Sequence, residues 1–210
     1  METMIYTNEK YTIGQLQGEE HLHELAQFVV EENYKHHAGN FHSNSIEDEI
    51  DLVYQEEIQY RKNSRIFVVR NRANELIGSI RVLKWDRRVS LPIQEIFDIN
   101  PLIAIHAERD CHYWHIGRFA INSFAGISTL TLFKQLMIYA IRPIILDTSK
   151  GYMIAETDSK LLKVMNALGI ETVQLGHSLN YLASETVPIY STQHGLMTFY
   201  NHYQSLCQPS

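Results

Sequence analysis

Cysteine is scarce in this chain: there are two in 210 residues, Cys111 and Cys207, with neither a CxxC pair nor the spacing of a disulfide framework. They read as reduced thiols, which points to a cytoplasmic protein and away from a secreted scaffold. No apolar run approaches the roughly 18 residues of a membrane-spanning helix, and the opening METMIYTNEKYT holds no apolar stretch of the signal-peptide kind. An excess of basic charge is missing too. Lys and Arg number 18 against 24 Asp and Glu, a formal charge of -6, so the chain has no general means of collecting nucleic-acid phosphates or anionic lipid, although a local basic patch stays open. Metal motifs are also wanting. HELAQ at 23–27 has Gln27 where an HExxH zinc site needs its second histidine, and His36, His37 and His42, two neighbours and a loop residue, make a poor ligand set. Neither a metal nor another cofactor is expected.

What is present suits one packed unit. With 45% hydrophobic and 20% charged residues and no repeat or low-complexity linker, residues 1–210 can bury a proper core and are expected to form a single domain. After a short strand near Tyr11, the stripe Leu22, Leu25, Ala26, Phe28 and Val29 marks a first helix, and Ser45 offers a cap for a second, acidic one, IEDEIDLVYQEEIQYR. RIFVVRN and LIGSIRVLKW, on either side of turn residues 71–75, read as an antiparallel hairpin in which Gly78 marks a bulge or a close backbone approach. LPIQEIFDINPLI, holding Pro92 and Pro101, is an irregular stretch with a helical turn, and the strand HYWHIGRFAI follows it. Next come a long helix capped by Ser128 and kinked or broken at Pro143, the strand YMIAE, and a helix with Thr157 or Asp158 at its cap and Gly169 at its end. Strands near TVQL and TVPIYST and a tail helix, GLMTFYNHYQSL, complete the chain.

The strand HYWHIGRFAI raises the chemical question. Its aromatic and branched residues suit a buried sheet, yet His115 and Arg118 stand in its middle, and such groups are not buried without a partner or a task. RIFVVRNRANELIGSIRVLKW, HIGRFAINS and LLKVMNALGIETVQLG follow one another in the order and rough spacing of the acyl-homoserine-lactone synthases and the related N-acyl amino acid synthases. Over residues 65–191 the chain resembles these members of the GNAT-type acyltransferase superfamily. Arg118-Phe119-Ala120-Ile121 looks like the family's Ser-Arg-Phe-hydrophobic strand motif, and YLASETVP resembles a stretch that follows the last helix in N-acyl amino acid synthases.

The resemblance implies an α/β (α+β) GNAT-like fold: a mixed central sheet, splayed between its fourth and fifth strands, with helices on both faces and an acyl thioester in the opening. It also implies an enzyme that moves a long-chain acyl group from an acyl carrier protein or acyl-CoA to the amine of an amino acid. The thioester is then a co-substrate. The autoinducer synthases carry Glu where this chain has His115 and Ser where it has Gly117, so homoserine-lactone synthesis stands as an alternative, beside a catalytically silent acyl-binding module of the same fold. Asp48 and Asp51 reproduce an Asp-x-x-Asp spacing that helical surface charge explains equally well. The glycine-rich loop with which acetyl-CoA enzymes hold pyrophosphate is replaced by NSFAGISTL, so binding energy for the donor is expected from its acyl chain.

Acyl transfer to an amine needs a proton acceptor, a donor for the developing oxyanion and a slot for the chain. His115 is the first candidate base, since an unperturbed imidazole titrates near ~6.5; its other reading is a hydrogen-bonded core histidine. Glu108 is the second candidate, or a loop carboxylate. Arg81 and Arg118 suit the carboxylate of the acceptor, or else form structural ion pairs with Glu95, Asp98 or Glu108. Strict alternation puts His115 and Arg118 on opposite faces, and a bulge at Gly117 would change that while freeing the amide of Phe119, Ala120 or Ile121 for the thioester carbonyl. Phe119, Ile121, Leu130, Phe133, Met137, Met153 and Ile154 are expected near the acyl chain or in the core. Lys84, Arg87 and Arg88 form either a landing patch for a carrier protein or a solvated turn. Cys111 is an acyl-carrying nucleophile or, more simply, a buried inert thiol.

Overall fold

The computed structural model describes residues 1–37, 46–107, 110–181 and 184–207. The expected cap Ser45, the candidate base Glu108, and His42 lie outside these residues, as do the side chains of His36 and His37. At the N-terminus β1 (Glu2–Thr7) and β2 (Tyr11–Leu16) pair antiparallel. β2 buries Tyr11, Ile13 and Leu16, whereas β1 is an edge strand without a buried residue. Two helices follow, α1 (Leu22–His37) and α2 (Ile46–Tyr60). α1 lays Leu22, Leu25, Phe28 and Val29 onto Leu16 and the next strand's Ile66 and Val68.

β3 (Ser64–Asn71) and β4 (Leu76–Lys84) form the hairpin that their alternation requires. In its turn Asn71 Oδ1 accepts from the amides of Ala73 and Glu75, and Asn74 takes a left-handed φ of 64°. The pairing slips between Val69–Gly78 and Arg70–Leu76, and a methyl group on Gly78 would stand 3.1 Å from Val69 Cγ2, so bulge and close approach coincide. Pro92 and Pro101 each open a short helix, α3 (Pro92–Phe97) and α4 (Pro101–Ala104), at the position where a missing N–H is tolerated.

β5 (Cys111–Ile121), α5 (Thr129–Ile145), β6 (Lys150–Asp158) and α6 (Ser159–Ala167) come next. Ser128 Oγ accepts from the Thr131 amide, and Asp158 Oδ1 from those of Lys160 and Leu161. Pro143 does not break α5; it lies in the last turn, where the helix is ending anyway. The chain finishes with β7 (Val173–Gln174), β8 (Leu179–Tyr181), β9 (Ser184–Thr192), α7 (Gln193–Tyr203) and a 3-10 turn at Gln204–Cys207.

The strands make one mixed sheet in the order β1-β2-β3-β4-β5-β6-β9-β7, with β8 also beside β9. α5 and α7 cover one face through Leu136, Ile141, Leu196 and Phe199, and α1 covers part of the other. β5 and β6 run parallel and pair from Cys111–Lys150 to His115–Ile154, although β5 continues to Ile121 and β6 to Asp158. Past His115 the two strands part. This is the expected opening, one place further along the count because β1 adds a strand ahead of those that the sequence pattern announces.

Candidate active site

The site begins with a backbone irregularity. β4 and β5 match at Arg81–Gly117 and again at Ser79–Ala120, so Arg118 and Phe119 together face Ile80. That extra residue is a β-bulge, and its left-handed member is Arg118 at φ 53°, one position beyond the expected Gly117. Ser79 Oγ donates to the Arg118 carbonyl at 2.8 Å, holding the turned peptide in place. Gly117 suits its place for a different reason: a Cβ there would stand 3.0 Å from His115 Cε1 and 3.2 Å from Arg81 Nη2, tight enough that those side chains would have to shift. The bulge cancels strict alternation, and His115 and Arg118 end on the same face of the sheet, beneath α2.

On that face the side chains form a continuous chain of polar contacts. Glu57 of α2 is fully buried, and its Oε1 accepts from Arg81 Nη1 at 2.5 Å and from Arg118 Nε at 2.7 Å. Arg118 Nη2 also pairs with Glu56. Arg81 is 1% exposed, sits 4.6 Å over the Tyr60 ring, and donates from Nη2 to His115 Nδ1 at 3.0 Å. His115 Nε2 in turn lies 2.8 Å from Glu156 Oε2 on β6. A guanidinium can only donate, so Nδ1 of His115 accepts, and Nε2 carries the ring proton and gives it to the Glu156 carboxylate. The backbone ladder between β5 and β6 ends at His115–Ile154, and the imidazole carries the connection one step further into the opening.

The electrostatics follow from burial and pairing. Burial pulls the Arg118 guanidinium down, but Glu57 and Glu56 more than reverse this and hold it above its ordinary value. Burial pushes the Tyr60 phenol up to about 12 against the opposing influence of Arg81, so Tyr60 serves as a neutral face for the cation and not as a base. Three buried polar atoms, Glu57 Oε2, Arg81 Nε and Glu156 Oε1, have no hydrogen-bond partner among the described residues, and all three belong to this one cluster.

The other expected residues divide between the two faces. Ala120 packs with Leu25 and Val29 under α1. Phe119 lies with its ring 5.5 Å from Phe133, and Ile121, Met137 and Met153 belong to the same core beneath α5. Ile154 is on the opposite side with Tyr113, and Leu130 is 45% exposed. The Asn122 amide donates to the Ile77 carbonyl, so alternation directs the Ala120 amide to β4 and those of Phe119 and Ile121 to the side that β6 leaves uncovered. Cys111 is buried with Leu83 and Tyr113. Lys84 is tied to Asp147 at 3.3 Å, while Arg87, over the Tyr113 ring at 5.8 Å, and Arg88 remain the exposed cations of their turn.

The ion-pair partners expected for Arg81 and Arg118 are corrected: among the described residues they come from α2, not from Glu95 or Asp98, and Glu108 lies outside those residues. Both guanidiniums already hold carboxylates of the chain itself, and Glu56, 42% exposed, is the one that a soluble carboxylate can replace. Sequence reasoning missed Glu56, Glu57, Tyr60 and Glu156. Glu57 had a signal: it lies in helical register with the buried Ile50 and Tyr60, a carboxylate on an apolar face. Among the described residues no group of three or more His, Cys, Asp or Glu is placed to hold a metal ion, and no helix is long and apolar enough to cross a membrane. Two surface recesses lie away from the opening. One of about 380 Å³ is bounded by Arg70, Glu2 and Glu24, and one of about 90 Å³ reaches Glu57 between Leu22 and Arg61.

No family model and no curated sequence matches the chain. Solved structures do match its fold. The AHL synthase LasI superposes with a TM-score of 0.63 at 17% identity, covering 96% of each chain. FeeM, an N-acyl amino acid synthase from uncultured soil microbes, gives a TM-score of 0.57 at 15% identity over 93% of this chain and 94% of its own. A GNAT-family acetyltransferase from Staphylococcus aureus Mu50 gives 0.54 at 12% identity over 86% and 99%. The chain therefore shares its fold with these proteins, a GNAT-like fold.

Proposed function

We propose that this chain, built on that fold, is an N-acyltransferase that takes a long-chain acyl group from an acyl carrier protein or acyl-CoA thioester and joins it to the amine of an amino acid. The observation that carries this reading is the parting of β5 and β6 beyond His115–Ile154, with bulged backbone on one strand and the His115–Glu156 pair across the fork. A thioester laid in the opening meets the amides of Phe119 and Ile121, which suit the charge that develops on its carbonyl oxygen. The acceptor nitrogen attacks the carbonyl carbon, an amide C–N bond forms and the C–S bond breaks. Of the two protons that the ammonium loses, one goes to the His115–Glu156 pair and on to solvent, and the other leaves with the thiol.

A long chain is favoured because the loop after β5 offers little to a pyrophosphate. Asn122 Oδ1 accepts the Phe124 amide at 2.9 Å, and Phe124 itself is 87% exposed. Each buried methylene is worth about 0.8 kcal/mol, so a chain of about ten more carbons supplies several kcal/mol beyond what an acetyl group can.

The test is transfer by the purified protein from donors graded from acetyl to palmitoyl, on carrier protein and on CoA, into a mixture of the protein amino acids, with products identified by mass. N-acyl amino acids whose yield rises with chain length are expected. A rate that is best with acetyl-CoA and falls with length overturns the long-chain reading; donor binding without turnover identifies a silent module.

A further inference from the structure

We infer that the acceptor enters the fork as an ammonium ion, that Glu156 Oε1 receives it and takes its proton, and that His115 is the residue that positions this carboxylate. The inference rests on the proposed transfer to amines and assigns the acceptor side of that reaction. Glu156 shares a face of β6 with Ile154, the last residue paired to β5, and so stands on the wall of the opening just past the fork. Its side chain is 10% exposed; Oε2 is held by His115, and Oε1 is itself buried and has no partner among the described residues, so a ligand that reaches it arrives as the strands part.

His115 is poorly arranged to take a proton itself. Nε2 already carries one, and Nδ1 spends its lone pair on the Arg81 guanidinium. Protonating Nδ1 would set two N–H groups against each other. Arg81 cannot turn away, because Glu57 grips its other Nη and Tyr60 lies beneath it. The series Glu57, Arg81, His115 and Glu156 is thus a brace from α2 across three strands. The imidazole in it also keeps Arg81 from pairing directly with Glu156.

Charge points to the same ligand class. The cluster sets two guanidiniums, Arg81 and Arg118, against three carboxylates, Glu56, Glu57 and Glu156, with a neutral imidazole between them. One formal negative charge is left over, and of the two carboxylate oxygens without a partner among the described residues, Glu57 Oε2 and Glu156 Oε1, the second is the one on the strand that borders the opening. Such a site attracts a cation and gives an incoming acid nothing unless Glu56 yields. Recognition therefore falls on the amine of the acceptor.

Binding can be measured without any donor, by calorimetry or ligand-observed NMR, with the methyl esters of the protein amino acids as probes. These keep the ammonium and lack the carboxylate. At least one ester should bind the wild-type chain, its N-acetyl derivative should not, and Glu156→Gln should weaken the ester by about tenfold or more. The side-chain amide oxygen in that variant still accepts the His115 proton, so its unfolding midpoint should stay near wild type; if it does not, Glu156→Asp, which retains the charge, should keep ester binding. In turnover, His115→Gln should lower kcat more than it raises KM for the acceptor, whereas Glu156→Gln should change both. Unchanged ester binding in a folded Glu156→Gln protein overturns the inference, and so does a wild-type chain that binds free amino acids but none of the esters, or binds neither. Ester binding that depends on Glu156 with no transfer from any donor would instead sink the proposed reaction and leave the ammonium site standing.

Discussion

Removing the charge of Glu57 leaves the buried Arg81 guanidinium without a carboxylate and Arg118 with Glu56 alone. Arg81 is 1% exposed and Glu57 fully buried, so Glu57→Gln should cost about 3 kcal/mol or more in denaturant unfolding. Glu56→Gln, at a carboxylate that is 42% exposed, should cost no more than about 1 kcal/mol in the same measurement. Asp147 offers a pH-dependent counterpart. Burial raises its carboxyl, but the Ser149 amide, His112 and Lys84 together pull it below its ordinary 3.8. The folded value is the lower one, so the stabilisation is fully present above pH 3.8 and is lost as pH falls through the folded value. The stability gap between wild type and Asp147→Asn, followed by urea unfolding at a series of pH values, should be constant near neutrality and shrink in that acid window. At this scale the cations were legible in the sequence and their partners were not. Arg81, His115 and Arg118 interrupt apolar strands, whereas Glu57 is camouflaged in a helix with Glu47, Asp48, Glu49, Asp51 and Glu56. Only its position on the apolar stripe distinguishes it.

Among the elements, β5 is the one whose place in the proposed site depends on being irregular. Its bulge puts Arg118 at φ 53° beside Gly117, over which His115 and Arg81 close. Gly117→Ala keeps the backbone conformation accessible but pushes both side chains aside, at about 1–3 kcal/mol of overpacking. Acyl transfer should fall by about 10²-fold or more, while circular dichroism stays native; a Gly117→Ala protein with full activity would show that the imidazole and guanidinium need not hold these positions. The expectation of a bulge came from Gly117, which is the only glycine in HYWHIGRFAI. Its placement one residue later depends on the register with β4, which no local pattern reveals. The hairpin β3–β4 and the caps at Ser128 and Asp158 were legible because each is specified by residues close in sequence. β1 and β8 were not: the first is an edge strand without buried residues, and the second is three residues defined by their pairing with β9.

For the molecule as a whole, net charge and local charge oppose each other. The chain carries a formal -6, so a carrier protein with an acidic face would need a local basic patch to dock against the net repulsion, and Arg87 and Arg88 are exposed at the turn after β4. Reversing both to Glu should raise KM for a carrier-borne donor by about tenfold at low salt, with the effect shrinking as salt rises, while a CoA donor is affected far less. Equal losses with both donors would remove that turn from carrier docking. Among the described residues the nine strands form two leaves, β1 to β5 on one side and β6 to β9 on the other, joined by the short parallel ladder that ends at His115–Ile154 and by the imidazole beyond it. The arrangement is that of a zip fastener with its slider stopped partway. His115 fixes where the slider rests, so in the proposed transfer the depth of the slot, and with it the purchase of an acyl chain on both leaves, would be set by one side chain at the point where the backbone hydrogen bonds end.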